Sequence, residues 1–197
     1  MAQSAHDAPT PEDAIKAFAR DKLGAAVCGI ASAAVLDELA PPGYGPRDVM
    51  AGSRSVIVIG GPLYTRGAWR TPDTRVAWAN QLWAGRALAM RLARHLEFTY
   101  GEYAIFYDGD RKSGDVPFLD VELCAEQAGL GSRGLNGRIL HREHGLLGFS
   151  AVVTRMELRP DGPLATPVCP HPVCVEMWAV ECSRMKRRQA SADVRRR

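Results

Sequence analysis

The chain has 197 residues, 46% of them apolar and 24% charged, a composition suited to one folded domain with a real core and not to a disordered segment. The formal net charge of +3 is concentrated at the end: residues 186–197 hold six basic side chains against the single acid Asp193. Such a tail can touch nucleic acid or anionic lipid, but the ordinary expectation is a solvated terminus, so neither nucleic acid nor membrane is an expected partner. No apolar run approaches the roughly 20 residues of a bilayer span, and residues 1–9 lack the charged start and apolar stretch of a secretory signal. A cytoplasmic location is the resulting expectation. Five cysteines, an odd number, argue against a disulfide framework.

In chain order, Thr10-Pro11-Glu12-Asp13 reads as a helix start with cap, first-turn proline and first-turn acids. Ile15, Phe18, Ala19 and Leu23 follow at helical spacing, and Gly24 stops the run. Residues 26–30 form a short buried strand in which Cys28 is a small core residue, and residues 33–39 a short helix. The run 41–46, Pro-Pro-Gly-Tyr-Gly-Pro, must be a loop. Residues 55–59, Ser-Val-Ile-Val-Ile, have the continuous apolar character of a strand buried on both faces. Residues 66–73 make a polar loop bearing Trp69, read as a pocket edge or a surface excursion. A long helix is expected over 74–98, with Trp78, Leu82, Gly85, Ala89, Leu92 and Leu96 on one stripe. Of Trp69, Trp78 and Trp83, two are read as core anchors, ahead of a cofactor-stacking role. A strand over 102–107, a polar turn over 108–114, a helix over 118–128 and a strand over 147–158 complete the pattern. Helices and strands without a strict β-α-β rhythm point to an α+β layered domain. Residues 1–160 form the expected core and 161–197 a short cysteine-containing segment with the basic tail.

Four glycines fall within nine residues: Gly129, Gly131, Gly134 and Gly137, with Asn136 beside the last. Glycine is entropically costly to order, so a cluster implies positive φ angles or a surface that something bulky approaches closely. For a single glycine a helix C-cap at Gly129 would suffice. Four with an asparagine favour a ligand-facing loop. It is neither a phosphate loop, since no Gly-Lys-Ser/Thr follows, nor a dinucleotide fingerprint, since a helix precedes it.

The block 115–158 resembles the corrinoid-binding core of the epoxyqueuosine reductase and reductive dehalogenase family. That family carries an Ala-Gly-Leu-Gly-x-x-Gly-x-Asn-Gly segment followed by a glycine-containing turn and a strand. The matching residues are Ala128, Gly129, Leu130, Gly131, Gly134, Asn136, Gly137, Gly145 and Thr154, and a weaker likeness spans most of 12–160. The resemblance implies a nitroreductase-like layered fold, a mixed sheet flanked by helices. It implies a bound cobalamin (a corrinoid) held by Gly129, Leu130, Gly131, Gly134, Asn136 and Gly137, with the backbone amides of 129–137 cradling the corrinoid's side-chain amides. It also places Asp115 where the family has a proton-donating aspartate. A carboxyl shielded from water beside such a ring would have the raised pKa of a general acid near neutrality. As residues alone, Asp115 reads equally as a helix N-cap before Pro117, and Asp120 and Glu122 as surface charges.

Family members follow the core with a ferredoxin module that feeds low-potential electrons to the corrinoid. Here the corresponding stretch holds Cys169, Cys174 and Cys182, spaced Cys-x₄-Cys-x₇-Cys instead of Cys-x₂-Cys-x₂-Cys-x₃-Cys. The three thiolates with His171 or an outside ligand would serve one [4Fe–4S] cluster, and a degenerate remnant is an equal reading. Two clusters need eight ligands and are excluded. Arg155 stands where the family often has aspartate. His141 and His144 have the spacing of metal ligands on a helix, but no third ligand is local and a polar turn is the favoured reading. The expectation is a cobalamin-binding oxidoreductase using electrons from an external donor such as ferredoxin or flavodoxin. A non-catalytic corrinoid carrier, an iron–sulfur electron carrier and a flavin-binding relative are the alternatives.

Overall fold

The structure, a computed structural model, describes residues 9–61, 74–107, 119–134 and 137–168, and within 74–83 the backbone alone. Helix α1 (Pro11–Ala17) starts as its sequence demands, the Asp13 N–H donating to Thr10 Oγ1 (3.2 Å) behind Pro11. From Phe18 to Lys22 the coil widens into a π-helical turn, and Gly24 leaves it at φ +75°. Then come β1 (Val27–Ser32), α2 (Ala33–Leu39), the single turn α3 (Pro46–Val49) and β2 (Ser55–Gly61). Helix α4 (Thr74–Tyr100) leads to β3 (Ala104–Tyr107), and α5 (Val121–Gln127) to the short strands β4 (Ser132–Arg133), β5 (Ile139–His141) and β6 (Gly145–Leu146). The last strand, β7 (Gly148–Thr154), is shorter than the expected 147–158 because the chain turns off at Arg155.

The class is α+β, as expected, but the sheet differs in one respect. Its order is β1-β2-β7-β3, and every pairing among the described residues is antiparallel, where a mixed sheet was expected. The reason lies in the last strand. β2, α4 and β3 form a β-α-β crossover with parallel strands, and β7 inserts between them antiparallel to both. A second, three-stranded sheet, β4-β5-β6, is folded from the glycine-rich stretch and the hairpin after it.

Both faces of the main sheet are covered, which is why β2 is a continuous apolar run. Ile57 and Ile59 of β2 and Val152 of β7 pack on Ile15, Ala19, Leu92 and Leu96 of the α1–α4 layer. Val56, Val58, Ala151 and Val153 pack on Leu36, Val121, Cys124 and Ala125 of the α2–α5 layer. Each of the valines, leucines and isoleucines among them contributes about 1.5–3 kcal/mol on burial. The stripe of α4 is as expected at Ala89, Leu92 and Leu96, all fully buried. Gly85 lies against Ser150, whose Oγ stands 2.6 Å from where a Cβ would sit. The side chains of Trp78, Leu82 and Trp83, and all of Trp69, lie outside the described residues.

After β7 the chain forms a strap over residues 155–168. The Leu158 N–H donates to Ser55 Oγ (3.0 Å) and the Arg159 N–H to Glu12 Oε1 (2.8 Å). Asp161 then clasps the edge of β1: its N–H donates to the Ile30 carbonyl (2.9 Å), its Oδ2 accepts the Ile30 N–H (2.8 Å), and its Oδ1 pairs with Lys16. An edge that would otherwise invite another strand is thereby occupied. The expected boundary between 160 and 161 falls within this strap.

Candidate functional site

The parallel strands β2 and β3 point their carboxyl ends the same way, where Gly61 faces Gly148 and Tyr107 faces Ala151 across β7. The segments 62–73 and 108–118, which carry Trp69 and Asp115, leave the sheet from this end and lie outside the described residues. A Cβ on Gly61 would meet open space, whereas one on Gly60 would strike Val27 (2.6 Å) and the Phe149 ring (3.0 Å).

Asp120, read from the sequence as a surface charge, is the N-cap of α5: its Oδ1 accepts the N–H groups of Glu122 and Leu123, both at 3.1 Å. The helix therefore needs no cap from Asp115. At its other end the Gly129 N–H donates to Glu126 O (3.1 Å) and the Leu130 N–H to Ala125 O (3.0 Å), with Gly129 at φ +70°. These are the two bonds of a Schellman motif. Leu130, expected at the ligand, turns its side chain into the core instead and is 7% exposed.

The missing side chains let the chain approach itself. A Cβ on Gly29 of β1 would stand 2.5 Å from the Ala128 carbonyl oxygen and 2.9 Å from Leu130 Cδ2. One on Gly129 would stand 2.6 Å from Gly162 O in the strap, and one on Gly131 would land on the Leu140 carbonyl and Ile139 of β5. The last two glycines behave differently. The Gly137 N–H donates to Gly134 O (2.9 Å) and the Gly134 N–H to Arg138 O (2.8 Å), closing a tight turn whose Gly137, at φ +77°, has open space where a Cβ would be. Leu135 and Asn136 lie outside the described residues.

The same bonds bear on part of the expected cradle of amides, of which residues 135 and 136 lie outside the described residues. The N–H groups of Gly129, Leu130, Arg133, Gly134 and Gly137 all donate within the chain, so they are not free to receive a ligand. The glycines of the segment divide in two. Gly129 and Gly131 serve internal packing, while at Gly137 and, at the sheet end, Gly61 no atom of the described residues stands within 4 Å of where a Cβ would be.

Arg133 on β4 holds the turn to the helix. Its Nη1 donates to Gly137 O (3.0 Å), its backbone N–H to Glu126 Oε1 (3.3 Å), and its guanidinium lies 3.5 Å from Glu122 and Glu126 and 3.9 Å from Asp120. Arg138 also pairs with Glu122.

His141 and His144 stack with ring centroids 4.9 Å apart in the β5–β6 hairpin. His141 Nδ1 accepts the N–H groups of Glu143 (3.1 Å) and His144 (3.2 Å), which requires the proton on Nε2 and leaves neither ring nitrogen open to a metal. Burial, with His144 beside it, holds the His141 pKa below its usual value. The polar turn favoured by the sequence is what forms.

Cys169, Cys174, Cys182 and His171 lie outside the described residues, but the chain entering them is placed: the Val168 N–H donates to Ser132 Oγ (2.6 Å). Burial pushes the Cys28 thiol up to about 12 and the Cys124 thiol up as well, so neither is a thiolate at neutral pH. No cluster of three metal-ligating side chains occurs among the described residues. Two depressions lie away from the glycine segment. One, about 390 Å³, is lined by Met50, Glu97, Tyr103, Ala104 and Arg155 at the amino end of β3, where Arg155 lies over the Tyr103 ring and donates to Ala51 O (3.1 Å). The other, about 340 Å³, lies between the π-helical turn and α4, where the rings of Phe18 and His95 stack at 3.6 Å.

The described residues form a layered α+β domain built on a split β-α-β crossover. The sequence matches no protein-family model and no curated protein. Solved structures do match. A selenomethionine-labelled epoxyqueuosine reductase is similar over 83% of this chain and 50% of its own, with 17% identity and a TM-score of 0.60. The epoxyqueuosine reductase of Streptococcus thermophilus is similar over the same shares, at 16% and 0.56. The catabolic reductive dehalogenase NpRdhA is similar over 85% of this chain and 23% of its own, at 22% and 0.58. The chain has the fold these reductases share, and it spans half the length of the epoxyqueuosine reductases and about a quarter of the dehalogenase. No helix among the described residues is long and apolar enough to cross a membrane.

Proposed function

We propose that the protein is a cobalamin-binding oxidoreductase that uses electrons supplied from outside the domain. The observation that carries the reading is the fold shared with these reductases, found around a glycine segment that resembles theirs residue by residue. One neighbouring reductive dehalogenase is described in connection with B12-dependent dehalogenation, and the Bacillus subtilis epoxyqueuosine reductase as having a catalytic aspartate loop that swings out of its active site. In this chain the segment 108–118 with Asp115 is the counterpart, and Asp115 holds the proton given to substrate. Gly61, Gly134, Asn136 and Gly137 lie against the corrinoid; at Gly61 and Gly137 no described atom stands within 4 Å of where a Cβ would be. Bound cobalamin supplies a cobalt centre able to pass low-potential electrons to substrate. A ferredoxin or flavodoxin is the proposed donor.

A second reading has its own support: the segment bearing Cys169, Cys174 and Cys182 begins beside Ser132 of the glycine segment, the place from which an iron–sulfur cluster would relay electrons. Both readings are tested by anaerobic reconstitution of the full chain, with hydroxocobalamin and separately with iron and sulfide. Retention of about one cobalt per chain with corrinoid absorbance is expected, and a cobalt-free protein after gel filtration overturns the proposal. Iron and sulfide retained with a visible band that bleaches on reduction support the cluster.

A further inference from the structure

The β5–β6 hairpin is closed by a side chain as well as by its ladder. Strand pairing sets Leu140 against Leu146 and His141 against Gly145, with Gly145 at φ +65°. Between them His141 Nδ1 accepts the N–H groups of Glu143 (3.1 Å) and His144 (3.2 Å), the part an aspartate or asparagine oxygen plays in an Asx-turn. An imidazole differs from those oxygens in one respect: it accepts only while neutral. The place for an added proton is Nδ1 itself, because Nε2 already carries a hydrogen. Protonation therefore turns the acceptor of two bonds into a donor facing two donors. The stacked His144 ring, with its centroid 4.9 Å away, adds like charge when both rings ionise. Arg142 and Glu143, both exposed, complete the charges of the turn, and of these Glu143 favours the imidazolium. Among the described residues, the elements packed on β5 bring no free carboxylate to it. β6 is Gly145 and Leu146, and the α5 acids Asp120, Glu122 and Glu126 are held by Arg133 and Arg138. After Leu146 the chain buries Leu147 and enters β7 at Gly148, which pairs with Gly61 at the carboxyl end of β2.

We infer that this hairpin is a proton-operated latch: His141, once protonated, releases the turn 142–144, and the loosening passes through Leu146 and Leu147 to Gly148 opposite Gly61. The latch needs no cofactor to work. Burial, with His144 beside it, holds the closed-state pKa of His141 below the usual 6.5, so the latch is shut above that value and opens as pH falls beneath it. The test follows the full chain by NMR from pH 8 to pH 5. It reads the His141 ring, the amides of Glu143, His144 and Gly148, and the core amide of Val152. The variants are H141N, which keeps an acceptor that does not titrate, and H144A, which removes the neighbouring charge. In the wild type the Glu143 and His144 amides are expected to lose about tenfold in protection, corrected for intrinsic exchange, with the midpoint of the His141 ring. Gly148 is expected to shift with them and Val152 to stay. H141N is expected to hold the turn closed across the range, and H144A to raise the midpoint. Amides that stay protected while the His141 ring titrates overturn the inference, as does a turn that opens in H141N just as in the wild type. Val152 moving with the rest is acid unfolding of the whole domain and overturns it too. A Gly148 signal that ignores the transition overturns the link to the sheet end, and an unmoved midpoint in H144A overturns the coupling of the two rings.

Discussion

Replacing Gly29 by alanine drives a methyl carbon into the place where α5 ends against the sheet. The new Cβ would stand 2.5 Å from the Ala128 carbonyl oxygen, about 1 Å inside an ordinary contact of roughly 3.5 Å, and 2.9 Å from Leu130 Cδ2. The oxygen cannot step aside like a flexible side chain, because Ala128 is tied on both sides: its own N–H donates to Cys124 O (2.9 Å), and the next two residues close the Schellman motif. Overpacking of this kind costs about 1–3 kcal/mol. Against it stands only a gain of about 0.4–1 kcal/mol from the reduced freedom of the unfolded chain. The net expectation is a loss of about 1–2 kcal/mol, or a Tm lower by about 2–8 °C for a chain of this size. Urea unfolding followed by circular dichroism measures it, with Gly61→Ala as the comparison, since nothing stands within 4 Å of that Cβ. A Gly29→Ala protein as stable as wild type would refute the argument that the glycine is there for close approach.

Asp161→Ala removes the acceptor of the Ile30 N–H and the partner of Lys16, and is expected to cost about 1–3 kcal/mol and to speed exchange at Ile30 more than at Val58; equal effects at both would show that the strap does not guard the edge. Burial holds the pKa of His95, and with His144 that of His141, below the usual 6.5. The unfolded chain therefore takes up protons first as pH falls through that value, so stability is full above it and declines below it. Urea midpoints between pH 5 and 8 should show this decline, flattened in a His95→Gln, His141→Asn double variant; an unflattened slope would assign it to other groups. Asp115→Asn, in cobalamin-loaded protein given a chemical reductant, is expected to lower turnover about 100-fold with cobalamin affinity unchanged, and equal turnover would remove its proton-donor role.

The parts of the fold that were legible in the sequence are those set by local pattern. The run at residues 55–59 reads as buried on both faces because helices cover both, and the stripe of α4 reads from its spacing. The place of β7 was not legible, since a strand that begins only at Gly148 and enters a β-α-β unit ending at Tyr107 leaves no mark of this in its own periodicity. Glycine spacing announced close approach but could not say by what. At Gly129 and Gly131 the visitor is the chain itself, whereas at Gly137 no described atom stands within 4 Å of where a Cβ would be. Asp120 was missed because a single capping residue looks like any surface acid until the helix start is fixed to within one position. Arg133 was missed because its acceptors come from α5 and from the turn that follows, and meet only once the segment folds back.

The strap gives residues beyond Val168 a fixed point of departure. It is fastened to Ser55, Glu12, Ile30 and Ser132, drawn from four separate stretches of the body, before the cysteines begin. Any polypeptide joined there, whatever its content, sets out from the same flank of the glycine segment without having to recognise it. Lineages could exchange one such appendage for another, and the core would need no new surface to receive it.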